Sequence, residues 1–173
     1  LGLESESFYV AYPSGTSIPN KPASQCQWNA ADGAGFGNAD DVGFILAITG
    51  WLKSLGVTSI YLAGHSNGAQ MAYRFAAAQP EAIDGVVAIS GFLISPVVAP
   101  AVSLPILHIH GADDDIAPIS GGYFSLADNT SLFTSYGATV TENVVQEAKH
   151  SVASLNEKLA PSTLAGIISE IVI

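Results

Sequence analysis

The sequence predicts an α/β fold: a mostly parallel sheet of about five strands with helices on both faces. Three observations predict it. Short runs rich in β-branched and aromatic residues alternate with longer segments of helical periodicity. The strand-like runs are apolar at consecutive positions, as burial on both faces requires. No repeat, low-complexity linker or abrupt change of composition breaks the series, so residues 1–173 read as a single domain.

The elements follow in order. SFYVAYP (7–13) is the first expected strand. A polar loop with Trp28 and Asn29 follows it. DDVGFILAITGWLKSL (40–55) carries apolar residues at helical spacing and stops at Gly56. TSIYLAG (58–64) is the second strand, and residues 67–79 form a helix stopped by Pro80. DGVVAIS (84–90) and LPILHIH (104–110) are the third and fourth strands. Residues 121–136 read as a helix ended by Gly137, and ATVTENVV (138–145) as the fifth strand. Residues 162–172 close the chain as a helix, with Ser162 as N-cap after Pro161.

Composition excludes several functions. Hydrophobic residues make up 49% and charged residues 12%, which is globular rather than disordered. The net charge of −10 comes with five scattered basic residues, Lys21, Lys53, Arg74, Lys149 and Lys158. No basic patch could track a phosphate backbone, so nucleic acid is not an expected partner. An anionic membrane surface is excluded likewise, and no apolar run is long enough for a membrane span. A neutral or cationic substrate suits this charge better than a polyanion. Cys26 is the only cysteine, which rules out an intrachain disulfide and leaves the compartment open, secretion included. The first residue is not Met, so a mature chain, a trimmed chain and a fragment are all compatible readings.

In a parallel sheet, ligands bind at the carboxyl ends of the strands. The residues after the second strand are Gly64-His65-Ser66-Asn67-Gly68, the pattern G-x-S-x-G between a strand and a helix. Such a turn strains the serine backbone and crowds the positions two residues away on either side. Glycine at 64 and 68 is expected to remove that clash. The Ser66 hydroxyl is thereby lifted above the sheet at a helix N-terminus, where the Asn67 amide can donate to an oxyanion.

A nucleophilic serine needs a base, and the base needs an orienting carboxylate, in the order Ser, acid, His. The fourth strand runs into Asp113-Asp114-Asp115, and the fifth is followed by Glu147-Ala148-Lys149-His150. His150 is the only histidine after the acidic loop. The three aspartates lack the alternating spacing of a calcium loop, so no metal site is expected. His108 and His110 share a strand face and read as packed, hydrogen-bonded residues. His65 flanks the nucleophile and either lines the substrate pocket or points into the scaffold. Trp28 is either a pocket wall or a core anchor.

Together, YVAYPSGT (9–16), WN (28–29), DDVGFI (40–45), GHSNGAQMAYRFA (64–76), PILHIHGADDDIAP (105–118) and GG (121–122) resemble the α/β-hydrolase esterases of the polyhydroxybutyrate depolymerase and feruloyl/acetylxylan esterase group. The resemblance implies a minimal α/β-hydrolase that cleaves carboxylic esters without a cofactor. It puts the catalytic acid on Asp114, four residues after His110, and the nucleophile and base on Ser66 and His150. Two features depart from the family. Its histidine stands in a glycine-rich turn followed by an aromatic, where this chain has AKHSV. The family also has three further strands before the segment matching YVAYP, and the loop after the third completes the oxyanion hole. Nothing in residues 1–8 resembles these. The missing strand belongs between the segments matching 7–13 and 58–64, so a gap or a rearranged pairing is expected. A gap would expose a sheet edge open to a second copy, and hence to homo-oligomerisation.

The resulting expectation is a serine esterase acting on a small-molecule or polymeric ester, of small acyl or feruloyl/acetyl type. Thioesterase and peptidase chemistry rank below it, because the elbow does not encode the leaving group. The rival from another class is a catalytically impaired hydrolase-fold binding domain or fragment, since one lost oxyanion donor costs about 10²–10³ in turnover.

Overall fold

The computed structural model describes residues 9–18, 22, 25–31, 38–94, 101, 103–121, 125–160, 162, 166 and 167. A short antiparallel ladder comes first, β1 (Thr16–Ser17) against β2 (Cys26–Gln27). The main sheet contains β3 (Tyr61–His65), β4 (Gly85–Ile89), β5 (Pro105–Gly111) and β6 (Thr139–Val145), all parallel and in that spatial order. The helices are α1 (Asp41–Ser54), α2 (Asn67–Ala78), α3 (Leu126–Ser135) and α4 (Val152–Leu159). No helix among the described residues is long and apolar enough to cross a membrane.

The sequence dictates most of these bounds locally. Asp40 caps α1 by accepting the Gly43 amide, and Gly56 follows the helix at φ 88°. Ser125 and Asp128 form a reciprocal capping box at the start of α3, which begins later than residue 121. Successive β4 residues face opposite sides of the sheet. Val86 and Ala88 pack with Ile106, Met71, Phe75 and Phe133, under α1, α2 and α3. Val87 and Ile89 pack with Leu107, Ile109 and Leu155, under α4. Helices therefore cover both faces. Each fully buried side chain such as Phe75 or Leu155 contributes about 1.5–3 kcal/mol relative to an exposed one.

The first expected strand is a correction. Residues 9–13 carry no ladder pairing and are exposed, and residues 7 and 8 lie outside the described residues. A cavity of about 250 Å³ separates them from β3, with Tyr9 and Val10 on one side and Ile60 and Leu62 on the other. Ladder hydrogen bonds need strands about 4.7–4.9 Å apart, which a cavity forbids. Of the two outcomes expected beside β3, the gap is the one observed among the described residues. The central strand β4 is buried at every residue, whereas β3 is at most half-buried. Among the described residues, three features were not expected from sequence: the β1–β2 ladder, a 3-10 turn over Pro80–Ala82 and α4. Of the helix expected over 162–172, residues 166 and 167 are helical, and 163–165 and 168–172 lie outside the described residues, as does Gly122.

Candidate active site

Strand β3 delivers the chain into Ser66, which is the N-cap of α2 at φ 54°, ψ −118°. A positive φ on a residue with a Cβ is strained, and here the strand-to-helix reversal imposes it. The Ser66 amide donates to the Ile89 carbonyl at 2.8 Å, which ties the turn to β4. A side chain at Gly64 would run into the Gly68 backbone, whereas a Cβ at Gly68 meets nothing within 4 Å. The expected two-sided clash is therefore relieved at Gly64 alone. The Ser66 side chain makes no capping hydrogen bond, and the first amides of a helix have no intrahelical acceptor. The Asn67 amide is one of these, beside the Ser66 hydroxyl.

Two loops converge on that hydroxyl. Asp114 follows β5, and His150 follows β6. The loops are joined by backbone bonds from the Ala112 amide to the Val145 carbonyl at 2.9 Å and from Asp113 to Ala148 at 3.0 Å. A side chain at Gly111 would run into the Ala148 carbonyl, so this junction needs glycine. On the far side of His150, Ser151 caps α4, and Ser154 Oγ accepts the Lys149 amide at 2.9 Å. His150 Nε2 lies 2.9 Å from Ser66 Oγ, and His150 Nδ1 lies 2.8 Å from Asp114 Oδ2. Asp114 Oδ1 accepts the Ile116 and Ala117 amides at 3.0 and 2.8 Å. An ionised Asp114 can only accept, so His150 Nδ1 carries the proton and Nε2 presents a lone pair to the serine.

The phospholipase/carboxylesterase family profile matches residues 45–159, which includes Ser66, Asp114 and His150. The chain belongs to the phospholipase/carboxylesterase family. A putative esterase, NocK of Nocardia uniformis subsp. tsuyamanensis, is 36% identical over 75 residues, 42% of this chain and 22% of that protein. Among solved structures, SOBER1 of Arabidopsis thaliana superposes with a TM-score of 0.57 at 17% identity, over 68% of this chain and 62% of that one. A protein of unknown function from Agrobacterium tumefaciens gives 0.63 at 18% identity, over 91% and 72%. Esterase PE8 gives 0.57 at 20% identity, over 76% and 60%. The structural likenesses show the fold, that of an α/β hydrolase. The chain spans about a fifth of the length of NocK and about 60% of SOBER1 and of esterase PE8.

The remaining candidate residues of this carboxylesterase-family chain surround the hydroxyl. His65 Nε2 lies 2.7 Å from the His150 carbonyl, and the two rings are 4.9 Å apart. A carbonyl only accepts, so His65 donates and steadies the backbone of His150. The Asn67 side chain clamps the Trp28 backbone, accepting its amide at 2.7 Å and donating to its carbonyl at 3.2 Å. That clamp carried no sequence signal. Asn29 is drawn away from the site, its amide donating to Asp41 at 2.6 Å and its side chain to the Ala39 carbonyl at 2.9 Å. Trp28 is half-buried, stacks on Phe44 with centroids 6.4 Å apart, and borders a cavity of about 460 Å³. Tyr12, Cys26, His65, Ser66 and Asn67 border it too. Among the described residues, no cluster of three or more His, Cys, Asp or Glu could hold a metal ion.

Burial pushes the Asp114 carboxyl up, but the Ala117 amide, His150 and the Ile116 amide outweigh it and hold the group below the usual carboxylate range. Behind it, burial and then the neighbouring His110 push His108 down to about 3. Burial also lowers His110, opposed by the Ala117 carbonyl and by Asp114. Both histidines are thus neutral in the fold, while an unfolded histidine takes up a proton near pH 6.5. Their contribution to stability is present above that pH and is lost as pH falls toward the folded values. For His108 the loss between pH 7.5 and 5 is about 2 kcal/mol. Relief of self-repulsion near the isoelectric point of 4.4 acts the other way. Denaturant melts should therefore show a net loss of stability on going to pH 5. A constant or rising midpoint would contradict the neutral buried pair.

Proposed function

We propose that the chain is a serine esterase that hydrolyses carboxylic esters through an acyl-enzyme. The observation that carries this reading is the continuous contact Ser66 Oγ–His150 Nε2 at 2.9 Å and His150 Nδ1–Asp114 Oδ2 at 2.8 Å. Ser66 Oγ attacks the carbonyl carbon while His150 Nε2 takes its proton. Negative charge develops on the carbonyl oxygen, where the Asn67 amide donates to it. The intermediate collapses, the C–O bond to the alcohol breaks, and the alkoxide takes the proton back from His150. Water then loses a proton to His150 and attacks acyl-Ser66. Breaking that ester releases the carboxylic acid and returns the proton to the serine. Asp114 holds the imidazole tautomer and stabilises the transient imidazolium. No step needs a metal or an organic cofactor.

The net charge and the aromatic rim of the cavity favour a neutral ester of small acyl or feruloyl/acetyl type. Trp28→Ala should raise KM roughly tenfold, as expected from losing about 1.4 kcal/mol of ring contact, with kcat changed less. The readout is initial rates on acetyl and feruloyl esters. An unchanged KM would make Trp28 a core anchor only.

A second reading is an impaired hydrolase-fold binding domain, favoured by the ladder position beside β3 that is open among the described residues. The same opening leaves an edge at which a second copy could pair. Fluorophosphonate labelling with intact-mass analysis separates the readings. One adduct, mapped to Ser66 and abolished by His150→Ala, is expected for the esterase. A folded chain with no adduct overturns it.

A further inference from the structure

Behind Asp114 lies a second set of polar groups that the reaction above does not use. Tyr73 of α2 and His108 and His110 of β5 are all fully buried. Tyr73 Oη is 2.7 Å from His108 Nδ1, and His108 Nε2 is 2.9 Å from His110 Nδ1. His110 Nε2 is 2.7 Å from the Ala117 carbonyl oxygen and 3.2 Å from Asp114 Oδ2. The two imidazoles lie within 3° of parallel, and Phe92 stacks on both at 5.3 and 4.8 Å.

The proton positions follow from one end. A carbonyl oxygen can only accept, so His110 Nε2 carries a hydrogen. A neutral His110 then has a lone pair on Nδ1, which His108 Nε2–H must fill. A neutral His108 has its own lone pair on Nδ1, which the Tyr73 hydroxyl fills. Reversing any link leaves two lone pairs or two hydrogens facing each other in a dry interior. The row therefore has a single neutral arrangement, and it ends with an N–H that the Ala117 carbonyl accepts, its nitrogen 3.2 Å from the oxygen of Asp114 that also accepts His150.

We propose that His110 is a positioning residue for the esterase reaction, its Nε2–H bridging the Ala117 carbonyl and Asp114 Oδ2, with Tyr73 and His108 locking the tautomer that supplies this N–H. The inference rests on the esterase reading for its kinetic consequences. Asp114 Oδ1 is already filled by two amides, so Oδ2 is the oxygen whose charge His150 feels. The His110 donor restrains that oxygen in position and withdraws part of its charge. Without it, Oδ2 is freer to move and binds the His150 imidazolium more tightly. The base should then hold its proton to higher pH. The titratable groups facing His110 are Asp114, His150 and His108, and Glu142 of β6 faces Tyr73. Of these, only the Asp114–His150 pair changes charge in the reaction.

The test uses the full chain with p-nitrophenyl acetate as substrate. His110→Phe should lower kcat roughly 10- to 100-fold with little change in KM. It should also move the acidic limb of the kcat/KM profile to higher pH. His110→Gln, whose amide can still donate, should recover most of both. A folded His110→Phe with an unchanged profile would reduce His110 to a packing role and overturn the proposal. Nitrogen-15 shifts of wild-type histidines give a readout that survives a variant that fails to fold. His110 and His108 protonated on Nε2 alone, between pH 6 and 8, is the expected result. A proton on His110 Nδ1, or an imidazolium there, overturns the lock. That measurement needs no turnover, so it fails or holds independently of the esterase reading, which the fluorophosphonate adduct on Ser66 tests.

Discussion

Replacing Ser66 with alanine is expected to lower ester hydrolysis by roughly 10⁴- to 10⁶-fold and to leave the fold in place. The size of the effect follows from what Oγ does. It is the atom to which the acyl group would transfer, and His150 Nε2 faces it at 2.9 Å. Without it, catalysis is left to the helix amides and to substrate binding. The fold should survive because Oγ does not cap α2. Alanine carries the same Cβ into the same positive φ, so the backbone strain is unchanged. His150 keeps its bond to Asp114, and its carbonyl keeps the bond to His65. The expected stability change is within about 1 kcal/mol. Both quantities are measurable on one preparation, by kcat/KM on an acetyl ester and by a denaturant midpoint. A variant within tenfold of the parent would remove Ser66 from the chemistry. A variant that unfolds would show Oγ bracing the turn rather than reacting.

The sequence carried the parts of the fold that are decided locally. Asp40 and Gly56 bound α1 because an N-cap carboxylate and a left-handed glycine act within one turn. The apolar runs over β4 and β5 announce burial on both faces, and the structure buries all of β4. Residues 9–13 have the same apolar composition, yet they form no ladder. Pairing depends on what stands beside a segment, and a cavity stands between these residues and β3. The signal for α4 was present in Val152, Leu155 and Leu159 at helical spacing after Ser151, but eight residues is a short window. At the site, the order of Ser66, Asp114 and His150 was legible because each follows a strand of one parallel sheet. The supporting contacts were not. That Gly64 rather than Gly68 relieves the crowding depends on how closely α2 lies over β3. That Asn67 clamps Trp28, and that Tyr73 meets His108, joins residues 39 and 35 positions apart in the chain. Such contacts have no sequence period.

Asp114→Asn should lower kcat by about 10⁴-fold, through a tautomer rather than a lost contact. The two Asp114 oxygens face different partners. Oδ1 accepts the Ile116 and Ala117 amides, so an asparagine is driven to put its own carbonyl there. Its NH2 then faces His150 Nδ1 and His110 Nε2. His110 is held by the Ala117 carbonyl and cannot give up its hydrogen without leaving that oxygen unpaired. His150 is freer, and it escapes the donor–donor contact by moving its proton to Nε2. The lone pair that should take the serine proton is then gone. The clash left at His110 costs about 1–3 kcal/mol of stability, so a lower melting point should accompany the lost rate. Fluorophosphonate labelling should slow in step with turnover, because both need the same lone pair. Rates close to wild type in a folded but less stable variant would recast Asp114 as a brace for its own loop. The carboxylate that orients His150 would then have to be Asp113 or Asp115, both exposed, where water competes for every hydrogen bond.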